Sequence, residues 1–102
     1  MAKHDPVKLD TWERLYRLWR DYRREREGAV PSALLMHHED WDGVRNNMGS
    51  YAAAWAAPDI QHRSWRVFNA VVLVSSIAPR GLPAFLDAAA AAAALQAGAR
   101  QA

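Results

Sequence analysis

The chain has 102 residues and a net charge of +2, and it contains no cysteine. This length suits one folded domain with its own hydrophobic core, and the missing cysteines exclude a disulfide framework, a thiolate zinc site and a cysteine nucleophile. Apolar residues make up 51% of the chain and charged residues 24%, a composition typical of globular proteins. The first residues, MAKHDPVKLD, include no apolar leader segment, and no uncharged run is long enough to span a bilayer. We therefore expect a soluble cytoplasmic protein with no membrane contact.

A first helix is predicted to begin at Asp5 and Pro6, because Asp favours the N-cap and Pro the first helical position. It should run to about Glu27 and end at Gly28, since glycine readily adopts the left-handed conformation that follows a helix. Its apolar side chains recur every three or four residues, which is helical spacing: Trp12, Leu15, Tyr16, Trp19 and Tyr22.

A second helix is predicted over residues 40–57, where large apolar residues again recur at helical spacing: Trp41, Val44, Met48, Tyr51 and Trp55. Pro58 should end this helix. The preceding apolar run, residues 33–36, is too short to separate a helical turn from a strand.

Residues 60–78 allow two interpretations. Their apolar side chains surround most of a helix circumference, which predicts a central, buried helix. The competing interpretation is a strand over residues 65–74, which are rich in β-branched residues. We favour the helix, because no other segment is an evident partner for a strand.

A last helix is predicted over residues 84–97, following Pro83 and ending at Gly98, with seven consecutive alanines. Together these elements predict an all-α protein, a compact four- to five-helix bundle. It would form a single helical domain over residues 1–102, with residues 1–4 and 99–102 frayed.

The densest group of potential metal ligands consists of His37, His38, Glu39 and Asp42. Successive helical residues point about 100° apart, so these side chains would not face one ion if they lay on one helix. The spacing of a known zinc motif is also missing. The group therefore favours a polar turn or helix cap, and we expect neither a metal nor another cofactor.

Arginine is the main polar feature of the first helix, which carries six between residues 14 and 26. This face could bind a protein, contact nucleic-acid phosphates or lie in solvent, because nearby Asp and Glu residues neutralise much of its charge. A helix-turn-helix around Pro58 and Asp59 is a weaker nucleic-acid alternative. Our candidate partner-binding residues are Arg14, Arg17, Arg20, Arg24, Asn46, Asn47, Arg63 and Arg66.

The absence of catalytic motifs and the mixture of aromatic and charged residues predict a small non-enzymatic protein-binding module, monomeric or homodimeric, rather than an enzyme. Short, cysteine-free, alanine-rich chains resemble in type the accessory proteins of phages and mobile elements, among them anti-CRISPR inhibitors that dock on a partner complex. No residue motif assigns a family. The alternatives are a nucleic-acid-binding accessory protein that uses the arginines, and a small metal-dependent protein around His37 and His38.

Overall fold

The computed structural model describes residues 5–46, 56–59, 61 and 63–102. This part of the chain forms three helices and six strands. In order, they are α1 (Asp5–Glu25), β1 (Ala33–His37), α2 (His38–Asn46), β2 (Ala56–Asp59), β3 (Ser64–Val67), β4 (Ala70–Ser75), β5 (Ala84–Leu86), α3 (Ala88–Gln96) and β6 (Arg100–Gln101).

The strands form one mixed sheet in the order β2-β3-β4-β1-β5. At its centre β1 and β4 run parallel, in a register that pairs Ala33 with Val71 and His37 with Ser75. Strand β5 is antiparallel to β1 on one side, and β3 is antiparallel to β4 on the other. Strand β6 pairs with the second half of β4, so β3 and β6 share one edge of that strand.

The prediction of an all-α helical bundle is therefore wrong, and the fold is α/β with a mixed sheet. The main cause is β4, whose sequence AVVLVS we assigned to a central helix. A parallel strand is buried on both faces and reads as a continuous apolar run, as does a fully buried helix. The strand does have partners, because the short run that we left open is β1.

The beginning of the second predicted helix is confirmed, and its last two residues are wrong. Helix α2 covers His38–Asn46, and both Trp41 and Val44 are buried. Met48, Tyr51 and Trp55 lie outside the described residues. Ala56 and Ala57, which we assigned to the end of this helix, lie in β2. Since β2 and β3 are antiparallel neighbours, the segment around Pro58 is not a helix-turn-helix.

The last helix begins later than predicted. Residues 84–86 form β5, and α3 follows after Asp87, whose side chain caps it by accepting a hydrogen bond of 2.8 Å from the Ala90 amide. The final residues, which we expected to fray, include β6, and Ala99 is buried. The alanine segment is helical because alanine is the best helix former.

The first helix confirms its prediction most closely. It begins at Asp5 and ends at Glu25, and Gly28 has a φ of 91° and donates its amide to the Arg23 carbonyl at 2.7 Å. Trp12, Leu15 and Tyr22 are buried against the sheet. None of the helices in the described part of the chain is both long and apolar enough to cross a membrane.

The two faces of the sheet carry different helices. Alternate residues of the central strands, among them Leu34, Met36 and Val72, face a core that includes side chains of α1 and α2. The intervening residues, such as Leu35 and Leu73, face a smaller cluster that includes alanines of α3. No side chain of α3 is buried, so this helix covers its face only thinly.

Candidate functional site

The outer surface of α1 carries an arginine row, which we define as Arg17, Arg20 and Arg24. Residues three or four positions apart are neighbours on a helix, so these three side chains lie on one side. Their side chains are 46–68% exposed. They lie on the face of α1 opposite its buried residues Leu15 and Tyr22.

Two carboxylates accompany the arginine row. Glu13 lies 3.6 Å from Arg17, and Asp21 lies 3.4 Å from Arg20 and 3.8 Å from Arg24. These pairs are exposed and loosely spaced, so each contributes at most about 1 kcal/mol. Three guanidinium groups thus share two carboxylates, and the surface keeps an excess positive charge.

An aromatic cluster adjoins the row; we define it as Tyr16, Trp19 and Phe68. Trp19 and Phe68 are stacked, with ring centroids 5.2 Å apart and an angle of 20° between planes. Tyr16 lies 5.9 Å from Trp19 and 6.2 Å from Phe68, and it is the exposed member at 39%. The cluster links α1 to the hairpin between β3 and β4, and Tyr16 is a helical neighbour of Arg20.

Phe68 was not singled out by the sequence analysis. It forms the two-residue turn between β3 and β4 with Asn69, and the φ angles of these residues are 51° and 67°. Two positive φ angles define a type I′ turn, which suits Asn but is unusual for Phe. The packing of its ring on Trp19 and Phe85 keeps Phe68 at this position. The position of Phe68 beside Trp19 can be predicted only once β3 and β4 are assigned as a hairpin.

Arg14 belongs to a different environment from the arginine row. Its guanidinium donates a hydrogen bond to the Gly81 carbonyl. The Gly81 amide in turn donates to Asp40 at 2.7 Å, while Arg80 lies 2.6 Å from Glu39 and 3.6 Å from Asp40. These contacts join α1, α2 and the loop before β5 around a cavity of about 290 Å³. Arg14 therefore has a structural role here.

The remaining predicted partner-binding residues do not join the row. Arg66 donates hydrogen bonds to Asp59 at 3.1 Å and to the Asn69 carbonyl at 3.0 Å. It therefore connects β2 to the turn between β3 and β4. Asn46 is exposed at the end of α2, and Arg63 is exposed just before β3. Asn47 lies outside the described residues. The structure thus groups three of the eight predicted residues, Arg17, Arg20 and Arg24, in one row.

The predicted metal ligands lie at the junction of β1 and α2. His37 ends the strand, and His38 and Glu39 begin the helix, so the chain direction changes and their ligand atoms come within 4.8 Å of one another. Asp42 is not part of this group. A single helix over all four residues is therefore the wrong premise, because the strand ends at His37 and the helix begins at His38.

The arrangement of the group does not match metal coordination. The imidazole rings of His37 and His38 are stacked, with centroids 4.4 Å apart and planes at 26°, so their in-plane lone pairs do not converge. His37 Nδ1 accepts the Glu39 amide at 3.1 Å, which places the proton of a neutral ring on Nε2. The Glu39 carboxylate is paired with Arg80. To bind a metal through these atoms, His37 Nδ1 and the Glu39 carboxylate would have to give up these contacts.

Comparisons with known proteins give no assignment: no family model matches the chain, and neither a curated protein nor a solved structure matches it. The candidate site therefore depends on the geometry alone. Among the surfaces described above, the arginine row and its aromatic cluster combine exposure, charge and a rigid support.

Proposed function

We propose that the chain acts by binding, and that the outer surface of α1 docks on an acidic surface of a partner protein. The observation that carries this proposal is the juxtaposition of the arginine row with exposed Tyr16. Arg, Tyr and Trp are the residues that most often dominate the binding energy of protein interfaces.

The ion pairs within the arginine row can be replaced by contacts with a partner protein at little cost in free energy. Each of its ion pairs is exposed and 3.4–3.8 Å long, so little free energy is lost when a guanidinium turns to an outside carboxylate. A bidentate contact with a partner carboxylate would be shorter and stronger. The excess of guanidinium groups over carboxylates on this surface favours an acidic partner.

The support of this surface is rigid, which lowers the entropy lost on binding. Trp12 and Leu15 fix α1 to the sheet with exposures of 2% and 1%. Trp19 packs on both Tyr16 and Phe68, and the Arg23 guanidinium lies 5.0 Å from the centre of the Trp19 ring. Tyr16 is therefore held at the surface by packed neighbours.

The expected consequence of docking is that the chain blocks or bridges its partner. In our proposal this is an inhibitory role of the kind found in accessory proteins of phages and mobile elements, as in anti-CRISPR proteins. A short chain with one charged, aromatic surface is suited to such blocking, because an interface needs only about 800 Å² from each partner.

Affinity capture from a nuclease-treated lysate of cells that express the chain tests this proposal. The site variant is Arg17→Gln with Arg24→Gln, and the control is Arg45→Gln with Arg63→Gln, which removes the same charge outside α1. We expect the site variant to recover a captured protein about tenfold less well, since interface arginines often contribute more than 1 kcal/mol each. The control variant should recover it as the parent does.

Two results would contradict the proposal. Equal loss of the captured protein in both variants would show that net charge, and not α1, determines binding. In a parallel capture without nuclease, recovery of nucleic acid alone, lost at high salt, would assign the arginines to phosphate contacts.

A further inference from the structure

A second polar site lies at the carboxyl ends of the parallel strands, away from the outer surface of α1. We define it as the carboxyl-edge pocket, a cavity of about 350 Å³ lined by His38, Val74, Ser75, Ser76, Gly98 and Arg100. Open α/β sheets bind ligands outside the carboxyl ends of their parallel strands, where helices begin. Here β1 and β4 end together, with His37 opposite Ser75, and α2 begins at His38.

The polar lining is made of donors and one cation, without a carboxylate. Ser75 Oγ accepts the Ile77 amide at 3.2 Å, which leaves its hydroxyl proton to donate. Among the described residues, the Arg100 guanidinium and the Ser76 hydroxyl have no hydrogen-bond partner. Such a lining repels a metal cation and suits an anion.

The Glu39 carboxylate lies within 4.8 Å of a ring nitrogen of His38, but both acidic residues in the first turn of α2 have other partners. Glu39 is 2.6 Å from Arg80, and Asp40 accepts the Gly81 amide at 2.7 Å while lying 3.6 Å from Arg80. Arg80, in the loop before β5, thus compensates the charges of both carboxylates. Arg100 is therefore the charged group of the pocket, and α2 begins beside it at His38.

We propose that the carboxyl-edge pocket binds a phosphoryl group, with Arg100 as its cationic contact and Ser76, Ser75 and His38 as hydrogen-bond donors. A tetrahedral anion with several acceptor oxygens can use these donors together, because they lie around one cavity. The volume accommodates free phosphate or the phosphate of a small monoester. This proposal is independent of docking by α1, since it uses none of the residues of the arginine row or aromatic cluster.

Amide NMR titration with inorganic phosphate tests the pocket, with sodium chloride holding the ionic strength constant. We expect saturable shifts at residues 38, 75–77 and 98–100. Arg100→Gln should weaken binding about tenfold or more, as the loss of a charged hydrogen bond predicts. Ser76→Ala should weaken it by a smaller factor. The matched control, Arg63→Gln, removes one positive charge elsewhere and should bind phosphate as the parent does.

A second titration with glycerol phosphate separates the two sources of the anion. Tighter binding of the ester than of inorganic phosphate would assign the pocket to a phosphorylated small molecule, and equal affinity would assign it to the phosphoryl group alone. Shifts that do not saturate, or that are unchanged in both Arg100→Gln and Ser76→Ala while their spectra show a folded chain, would overturn the proposal.

Discussion

Leu34 and Val72 lie opposite each other in the parallel pair of β1 and β4, and neither side chain is exposed to solvent. Both side chains point to the face of the sheet that α1 and α2 cover. The pair therefore joins the two segments whose association the sequence analysis did not anticipate. Its burial ties the central strands to the helix that carries the arginine row.

Leu34→Ala should lower the free energy of unfolding by about 2–5 kcal/mol, because it removes buried methyl groups and leaves a cavity between sheet and helices. Chemical denaturation measures this change. Leu95→Ala on α3 is the control, since Leu95 is 44% exposed and should change stability far less. Equal stability of Leu34→Ala and the parent would contradict the central position of β1.

In the turn formed by Phe68 and Asn69, replacing Asn69 by alanine and by glycine should have different effects on stability. Asn69 has a φ of 67°, so Asn69→Ala should lower stability by about 1 kcal/mol, since alanine lacks the polar side chain whose local hydrogen bonds let asparagine adopt a left-handed backbone. Asn69→Gly should leave stability equal or higher, because glycine adopts this conformation freely. Thermal melts of both variants compare them directly, and an Asn69→Ala melt equal to that of Asn69→Gly would exclude the type I′ turn.

Asp40 should be more important for stability than Asp42, although both lie near the start of α2. The Asp40 side chain is 21% exposed and accepts the Gly81 amide, whereas Asp42 is exposed. Asp40→Ala should cost about 1–2 kcal/mol through the lost hydrogen bond and the unpaired amide. Asp42→Ala serves as the control in the same denaturation series. If the two variants unfold at the same denaturant concentration, the link between α2 and the loop before β5 is not as described.

Zinc should not stabilise the chain, because the stacked rings of His37 and His38 and the pairing of Glu39 with Arg80 oppose coordination. A metal that binds only the folded state raises the melting temperature, so melts with zinc and with a chelator should coincide. Arg80→Gln provides a further test, since it frees the Glu39 carboxylate. A clear rise of the melting temperature with zinc in the parent would restore the metal hypothesis.

The sequence predicted the parts of the fold that depend on local signals. Asp5 and Gly28 mark the two ends of the α1 region, and helical spacing identified Trp12, Leu15 and Tyr22 as its buried side. The sheet was missed because strand pairing is a relation between distant segments. The apolar run of β4 has the same appearance in a buried helix, and only its register with β1 distinguishes the two.

The sequence predicted only part of the candidate site, because the other part also depends on contacts between distant segments. The spacing of Arg17, Arg20 and Arg24 places them on one side of a helix, and this follows from the sequence. Arg14 and Arg66 look equivalent to them in sequence, but tertiary contacts with Gly81 and Asp59 give these two arginines structural roles. Such contacts, like the position of Phe68 beside Trp19, arise only when the sheet and α1 come together.

Photo-crosslinking in cells tests the docking surface most directly. A photoreactive phenylalanine analogue replaces Tyr16 in one version of the chain and Leu95 in another, since their exposures are similar, 39% and 44%, and they belong to helices on opposite faces of the sheet. We predict a nuclease-resistant protein adduct from the position of Tyr16 and none from that of Leu95. An adduct from Leu95 alone, or an adduct at Tyr16 that nuclease removes, would contradict docking of α1 on a protein.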